Sequence, residues 1–307
     1  MDIRIDRRRL LHCMAWVGTG VVWSFAGGVP RSLRIEEAQA ADLAGLSFAQ
    51  ISDSHIGFNK DANTDVPGTL KAAIDQIRAL PRPPSFLLHT GDISHLSKPE
   101  EFDIVAESLK AAKTERVFYV PGEHDVAADN GKIYLERYGQ GTMGGGWSSF
   151  DYNGVHFIGL VSVLNLKAGG LGNLGPEQLD WMKKDVAGLA DSTPIVVYAH
   201  IPLWAVYPKW GWGTDDSEQA LALLKRFGSV TVLNGHIHQV LQKVEGNITF
   251  HTAFSTAFPQ PAPGTADSPG PLLVPAEKLR STLGLHSVDY RVGQGALAIV
   301  DMPLANG

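Results

Sequence analysis

Ionisable side chains gather at five points in this chain, and each point directly follows a short apolar run. Leu46–Ser52 leads into Asp53-Ser-His55, and Ser85–Thr90 into Gly91-Asp92. Arg116–Val120 leads into Pro-Gly-Glu123-His124-Asp125, Pro194–Ala199 into His200, and Ser229–Leu233 into Asn234-Gly-His236-Ile-His238. Three ionisable residues in a row are costly beside a core unless something there uses their lone pairs. Taken singly, an Asp after a strand is a turn former and a lone His a hydrogen-bonded surface or core residue. Coincidence at five strand ends, four of them carrying His, outweighs that bland reading. Imidazole and carboxylate without sulfur suit Zn, Mn or Fe and disfavour copper–thiolate or iron–sulfur chemistry. Seven candidates, Asp53, His55, Asp92, Glu123, His200, His236 and His238, are too many for one tetrahedral ion and match two ions sharing a bridge.

Positioning these groups requires an α/β layer fold. The apolar runs above, with Val155–Ser162, read as strands. Helix patterns near Gly68–Leu80, Pro99–Lys113, Pro176–Leu189 and Ser217–Phe227 separate them. In such sheets a ligand site lies beyond the carboxyl ends of the strands, where these side chains converge. Gln239–Ala253 and Gly295–Asp301 read as strands without intervening helices, which predicts a second sheet or an antiparallel extension. Pro259–Pro275 carries six prolines and reads as a long irregular loop or lid, with the loop and its extension taken to span 259–293. Gly-x-Ser-x-Gly, Gly-x4-Gly-Lys-Ser/Thr and His-Glu-x-x-His signatures are absent from the sequence.

The ordered set Asp53-x-His55, Gly91-Asp92, Gly122-x-His124-Asp125, His200 and Gly235-His236-x-His238 resembles the calcineurin-like metallophosphoesterases, over residues 50–240. That resemblance implies a four-layer α/β/β/α sandwich with two metals at the strand ends. It implies one ion held by Asp53, His55, Asp92 and His238, and another held by the bridging Asp92, residue 123, His200 and His236. It further implies that His124 faces the phosphate or leaving group, with Asp125 orienting its ring. The expected reaction is phosphoric ester hydrolysis by a metal-bridging hydroxide. The two ions are expected to be divalent or of mixed valence, drawn from Mn, Fe or Zn.

Position 123 departs from the family, whose usual residue there is asparagine. An ionised Glu123 removes one unit of positive charge from the centre. That predicts a preference for monoanionic diesters over dianionic monoesters; the shared motifs resemble those of bacterial cyclic-nucleotide diesterases, which implies cyclic nucleotides or similar small molecules as the substrate class. The alternative is a longer side chain that swings away and leaves the second ion weakly held; a phosphomonoesterase, or a non-catalytic binding protein on the same fold, stands behind these. Trp204, Tyr207, Trp210 and Trp212 follow His200 within twelve residues, and Trp210 and Trp212, flanked by glycines, are candidates for substrate contact. His89 reads as a hydrogen-bonded core residue, and His95 as a residue within reach of substrate.

Residues 1–40 differ from the rest. Arg7-Arg-Arg-Leu-Leu11, an uncharged stretch over 10–29 and Ala38-Gln-Ala40 follow the charged, apolar, small-residue order of an export signal. It resembles a twin-arginine signal, with Asp6 where Ser or Thr is usual. A periplasmic protein routed through the twin-arginine export machinery is therefore expected, with the domain proper over 41–307; an uncleaved anchor at 10–29 is the alternative. Six of the 26 Lys and Arg and four of the 32 Asp and Glu lie in this leader, so the remainder nets −8. That balance argues against a partner that is a nucleic-acid polymer, since backbone affinity comes from Lys and Arg. Cys13, the one cysteine, also lies in the leader, so the expected mature chain has neither disulfide nor thiolate ligand.

Overall fold

The computed structural model describes residues 21–26, 29–34, 45–291 and 297–305. Two compact units divide the chain. The smaller contains an antiparallel strand pair, β1 (Val21–Ala26) and β2 (Val29–Arg34). The expected export signal, with the alternative anchor at 10–29, otherwise lies outside the described residues. No helix among the described residues is long and apolar enough to cross a membrane.

The larger unit holds two sheets. Strands β3 (Leu46–Ile51), β4 (Phe86–His89) and β5 (Arg116–Tyr119) run parallel in one of them. Beside β3, β12 (Gly284–Tyr290) and then β13 (Ala298–Pro303) add antiparallel strands, giving the order β13-β12-β3-β4-β5. The second sheet contains β6 (Ser148–Tyr152), β7 (Val155–Leu160), β8 (Ile195–Ala199), β9 (Val230–Asn234), β10 (Gln242–Glu245) and β11 (Ile248–Thr252). Its order is β10-β11-β9-β8-β7-β6, with β7, β8, β9 and β11 parallel.

The period-two alternation of each strand decides what lies between the sheets and what faces the helices. Phe48 on β3, Phe86 and Leu88 on β4, Val155 and Phe157 on β7, and Val196 and Tyr198 on β8 form the inner core. Aromatic rings close it: Phe150 stacks on Phe118 with centroids 3.8 Å apart and on Phe157 at 4.8 Å. The opposite faces turn outward to helices. Ala49, Ile51 and Leu87 meet α1 (Val66–Arg78) and α2 (Pro99–Lys110). Ile158, Val197 and Ala199 meet α5 (Pro176–Val186) and α6 (Ser217–Leu224). The result is the α/β/β/α sandwich that the family resemblance implied.

Local sequence explains the flanking helices. Asp65 caps α1 by accepting the Gly68 amide, and Pro67 occupies its first turn. Val66, Leu70, Ala73, Ile74 and Ile77 then form its buried stripe. Full burial of one such aliphatic side chain stabilises the fold by about 1.5–3 kcal/mol.

Two short helices, α3 (Glu123–Val126) and α4 (Lys132–Tyr138), follow β5 without a sequence pattern long enough to announce them. The proline-rich segment 259–275 is irregular, as expected. The extension that follows is regular as far as residue 290: α7 (Ala276–Thr282) leads into β12, which pairs with β3 in the sheet interior. His286 on β12 sits fully buried among polar groups, so β12 lacks the continuous apolar run of the other central strands.

Candidate dinuclear metal centre

The parallel strands of both sheets end at one place, and the five clusters meet there. Asp53 and His55 follow β3, Asp92 follows β4, Glu123 and His124 open α3 after β5, His200 follows β8, and His236 and His238 follow β9. Five of these carry left-handed backbone: Asp53 at φ 53°, His55 at 39°, Asp92 at 50°, His236 at 70° and His238 at 52°. Such conformations cost on the order of 1–3 kcal/mol each in non-glycine residues and persist where surrounding bonds over-determine them. Here Asp53 N donates to Gly91 O and His55 N to Asp92 O, each at 2.9 Å. Glycine is required at two points: a Cβ on Gly122 would collide with the Asp92 carboxylate, and one on Gly91 (φ 97°) with the His200 ring.

Two donor sets share Asp92. In the first, His238 Nε2 lies 3.3 Å from Asp53 Oδ1 and 3.2 Å from His55 Nε2, while His55 Nε2 lies 3.4 Å from Asp92 Oδ2. In the second, His200 Nε2 lies 3.4 Å from the same Asp92 oxygen and 2.9 Å from Glu123 Oε2. His236 Nδ1 completes it, 2.9 Å from Glu123 Oε1 and 3.3 Å from His200 Nε2. Asp53, Asp92 and His200 also approach within 4.8 Å of one another, so the two sets adjoin. Every ligand that the sequence proposed is brought into this cluster, Glu123 included.

The donor chemistry fits a pair of cations. His200 Nδ1 donates to Thr90 O at 2.7 Å and His238 Nδ1 to Phe258 O at 2.5 Å. A carbonyl only accepts, so in its neutral form each ring has its lone pair on Nε2, and that nitrogen faces another ring nitrogen. Opposed lone pairs beside carboxylates are stable around a positive ion. His236 Nε2 is buried without a hydrogen-bond partner. This set matches a dinuclear divalent-metal site.

Electrostatics follow from crowding. Burial pushes the His55 ring well below the usual histidine range, and His238, His124 and His95 push it further, keeping it neutral. Burial alone would raise the Glu123 carboxyl, but His236 and His200 hold it well below the ordinary carboxylate range. Burial would lower the His124 ring, but Asp92 and Glu123 raise it.

One expected contact is corrected. Asp125 does not orient the His124 ring. Its Oδ2 accepts from Gly122 N at 2.9 Å and Ile93 N at 3.1 Å, and its Oδ1 from Ser94 N at 2.8 Å and Ser94 Oγ at 2.9 Å. These bonds tie the loop after β4 to the loop after β5. The start of α3 turns the Asp125 side chain inward, whereas His124 projects outward and its Nδ1 donates to His95 O at 2.7 Å. His89 is a buried core residue, with Nε2 2.8 Å from Ser54 Oγ.

A cavity of about 310 Å³ opens beside the centre, lined by His124, His95, Lys60, Trp210 and Phe258, with Pro269–Pro271 of the proline-rich loop as one wall. Trp210 is half-buried and meets the fully buried Trp212 edge-on at 5.1 Å; both rings contribute to the lining. Sequence reasoning missed Phe258, whose ring stacks on His55 at 4.8 Å and whose carbonyl holds His238. Nothing in the local sequence of Phe258 marks it, because its role comes from a chain return from β11.

These features define a metallophosphoesterase. The chain belongs to the calcineurin-like phosphoesterase family, whose profile matches residues 46–240. It is 29% identical to a probable glycerophosphodiester phosphodiesterase of Arcobacter nitrofigilis, over 68% of this chain and 78% of the relative. It is 24% identical to a probable cyclic nucleotide phosphodiesterase of Rhodococcus erythropolis, over 69% and 71%. In fold it is similar to a dimetal phosphatase from Danio rerio (TM-score 0.56, 15% identity, 85% of this chain and 99% of that one). It is also similar to a purple acid phosphatase from yellow lupin (TM-score 0.60, 13% identity, 86% and 52%).

Proposed function

We propose that this metallophosphoesterase is a phosphodiesterase of small substrates, cyclic nucleotides or similar diesters. The observation that carries the reading is the position of Glu123, with one oxygen 2.9 Å from His200 and the other 2.9 Å from His236. A carboxylate there makes the centre one unit less positive than an amide would, which penalises a dianionic monoester more than a monoanionic diester. Both named relatives above are described as diesterases, which agrees with this choice.

Asp53, His55, Asp92 and His238 would hold one ion, and Asp92, Glu123, His200 and His236 the other. When bound, the pair supplies Lewis acidity and an activated water. The chain's own residues do the rest. Trp210 and the loop at 269–271 receive the organic part of the ester and exclude water. His124, fixed through Nδ1 by the His95 carbonyl, presents Nε2 to the phosphoryl group. As water oxygen bonds to phosphorus and gives up one proton to solvent, the ester P–O bond breaks in line; the imidazolium of His124 gives its Nε2 proton to the leaving alkoxide and is reprotonated from solvent.

The test is to chelate and then reload the purified protein with manganese. It is then offered bis(p-nitrophenyl) phosphate, p-nitrophenyl phosphate, cyclic nucleotides and glycerophosphodiesters. Metal-dependent turnover with diesters favoured supports the proposal. Preference for the monoester overturns the charge argument, and metal binding without turnover of any ester makes the protein a binding module. Residues 1–40 we take as a twin-arginine leader delivering the enzyme to the periplasm. Fractionation of cells expressing the chain with Arg7→Lys and Arg8→Lys together checks this, and unaltered export would refute the twin-arginine route.

A further inference from the structure

We propose that His95 is a positioning residue for both halves of the reaction centre. Its ring would fix the metal-binding tautomer of His55, while its backbone carbonyl fixes that of His124. The inference rests on the metallophosphoesterase reading and adds a residue that neither the family motif nor the strand-end pattern includes.

His95 Nδ1 stands 3.3 Å from His55 Nδ1. His55 turns its other nitrogen, Nε2, toward Asp92 and His238. With that lone pair committed to the metal side, the His55 proton sits on Nδ1. The group facing it must therefore accept, so His95 Nδ1 carries a lone pair and its own proton sits on Nε2. Metal-bound imidazoles ordinarily donate to a carboxylate, a carbonyl or water; here a second imidazole takes that place. The same residue accepts the His124 Nδ1 proton through its carbonyl at 2.7 Å, and the two rings stack with centroids 4.7 Å apart and 17° between planes.

The loop carrying His95 is held as a positioning device needs to be. His95 N donates to Ile56 O at 2.9 Å, and Leu96 N to Glu101 Oε2 at 2.8 Å. Glu101 is itself buried, at 4% exposure. Asp125 grips the preceding Ile93 and Ser94 amides. Phe58 packs edge-on against the ring at 5.2 Å. A ring that merely filled space would need no such backbone fixation and no nitrogen aimed at His55.

Two variants separate acceptor from filler. His95→Phe keeps a stacked ring and the carbonyl but removes the acceptor, whereas His95→Asn places a side-chain oxygen close to the former Nδ1. Manganese binding to the chelated, full-length protein is measured by titration calorimetry, with circular dichroism and metal-free melting as folding controls. His95→Phe is expected to weaken one of the two ions by about 10–100-fold and leave the other within a few-fold. His95→Asn is expected to restore most of that loss. Unchanged binding in His95→Phe overturns the proposal, and so does a loss that His95→Asn fails to rescue. Should the wild type bind two ions and hydrolyse no ester, the functional reading falls, while the calorimetric comparison still decides the role of His95.

Discussion

Glu123 Oε2 lies 2.9 Å from His200 Nε2, the distance at which a carboxylate and an imidazole can share one cation. The helix α3 begins at Glu123, directly after the extended Gly122, and so points this side chain along the rim of the sheet toward β8 and β9. The swung-away rotamer weighed from sequence is therefore not the one adopted. A one-atom-longer acid is accommodated where the family usually has an amide.

Restoring that amide tests the consequence. Glu123→Asn is expected to raise kcat/KM for a monoester relative to a diester by on the order of tenfold, through the added unit of positive charge. Parallel kinetics with p-nitrophenyl phosphate and bis(p-nitrophenyl) phosphate read the ratio. An unmoved ratio sinks the charge argument.

Asp125 predicts a stability effect rather than a purely chemical one. Removing its carboxylate strips partners from the buried Gly122, Ile93 and Ser94 amides at once. Asp125→Ala should destabilise the protein by about 2–4 kcal/mol, since each orphaned buried donor costs roughly 1–3 kcal/mol and the loops relax in part. Denaturant unfolding measures this. Near-native stability with lost activity would instead place Asp125 in the chemistry.

Trp210 is half-buried in the cavity wall, so its truncation should be felt in binding. Trp210→Ala is expected to raise KM for diesters with aromatic or nucleoside groups by roughly threefold to tenfold, an aromatic contact being worth about 0.5–1.5 kcal/mol. Dimethyl phosphate, which has no such group, should show little change. Equal loss for both substrates would mean that the ring only packs the loop.

Away from the centre, His156 on β7 bonds Asp151 at 2.8 Å and, on α5, Asp185 at 2.9 Å. Burial opposes its charge, but the bonds to Asp185 and Asp151 raise its pKa above the usual 6.5. A raised histidine contributes stability that is fully present below the unfolded value and is lost as pH climbs through the folded one. His156→Gln should therefore lower the melting temperature more at about pH 6 than at about pH 9. Melting curves for both proteins across that interval check the sign, and a penalty that grows with pH would contradict it.

Much of the fold was legible because strand periodicity and strand-end chemistry are local properties. Leu46–Ile51, Phe86–His89 and Ile195–Ala199 announce themselves by composition, and helices α1, α2, α5 and α6 by their apolar stripes and caps. β12 was not legible, since its register against β3 is stabilised partly by a buried His286–Gln50 hydrogen bond that no apolar run reveals. His95 could be found in sequence as a histidine three residues past Asp92, but its direction toward His55 could not.

By itself, the order of residues determined that seven acids and imidazoles must end up at strand termini, because alternation and turn chemistry fix where strands stop. Only the tertiary structure decided which nitrogen of each ring faces its neighbour, that Glu123 turns toward His200 and His236, and that Asp125 grips backbone instead of His124. Those choices depend on loops from both sheets arriving within hydrogen-bonding distance. A contact between residues more than a hundred positions apart, as between His200 and Thr90, exists only once the sheets have packed face to face.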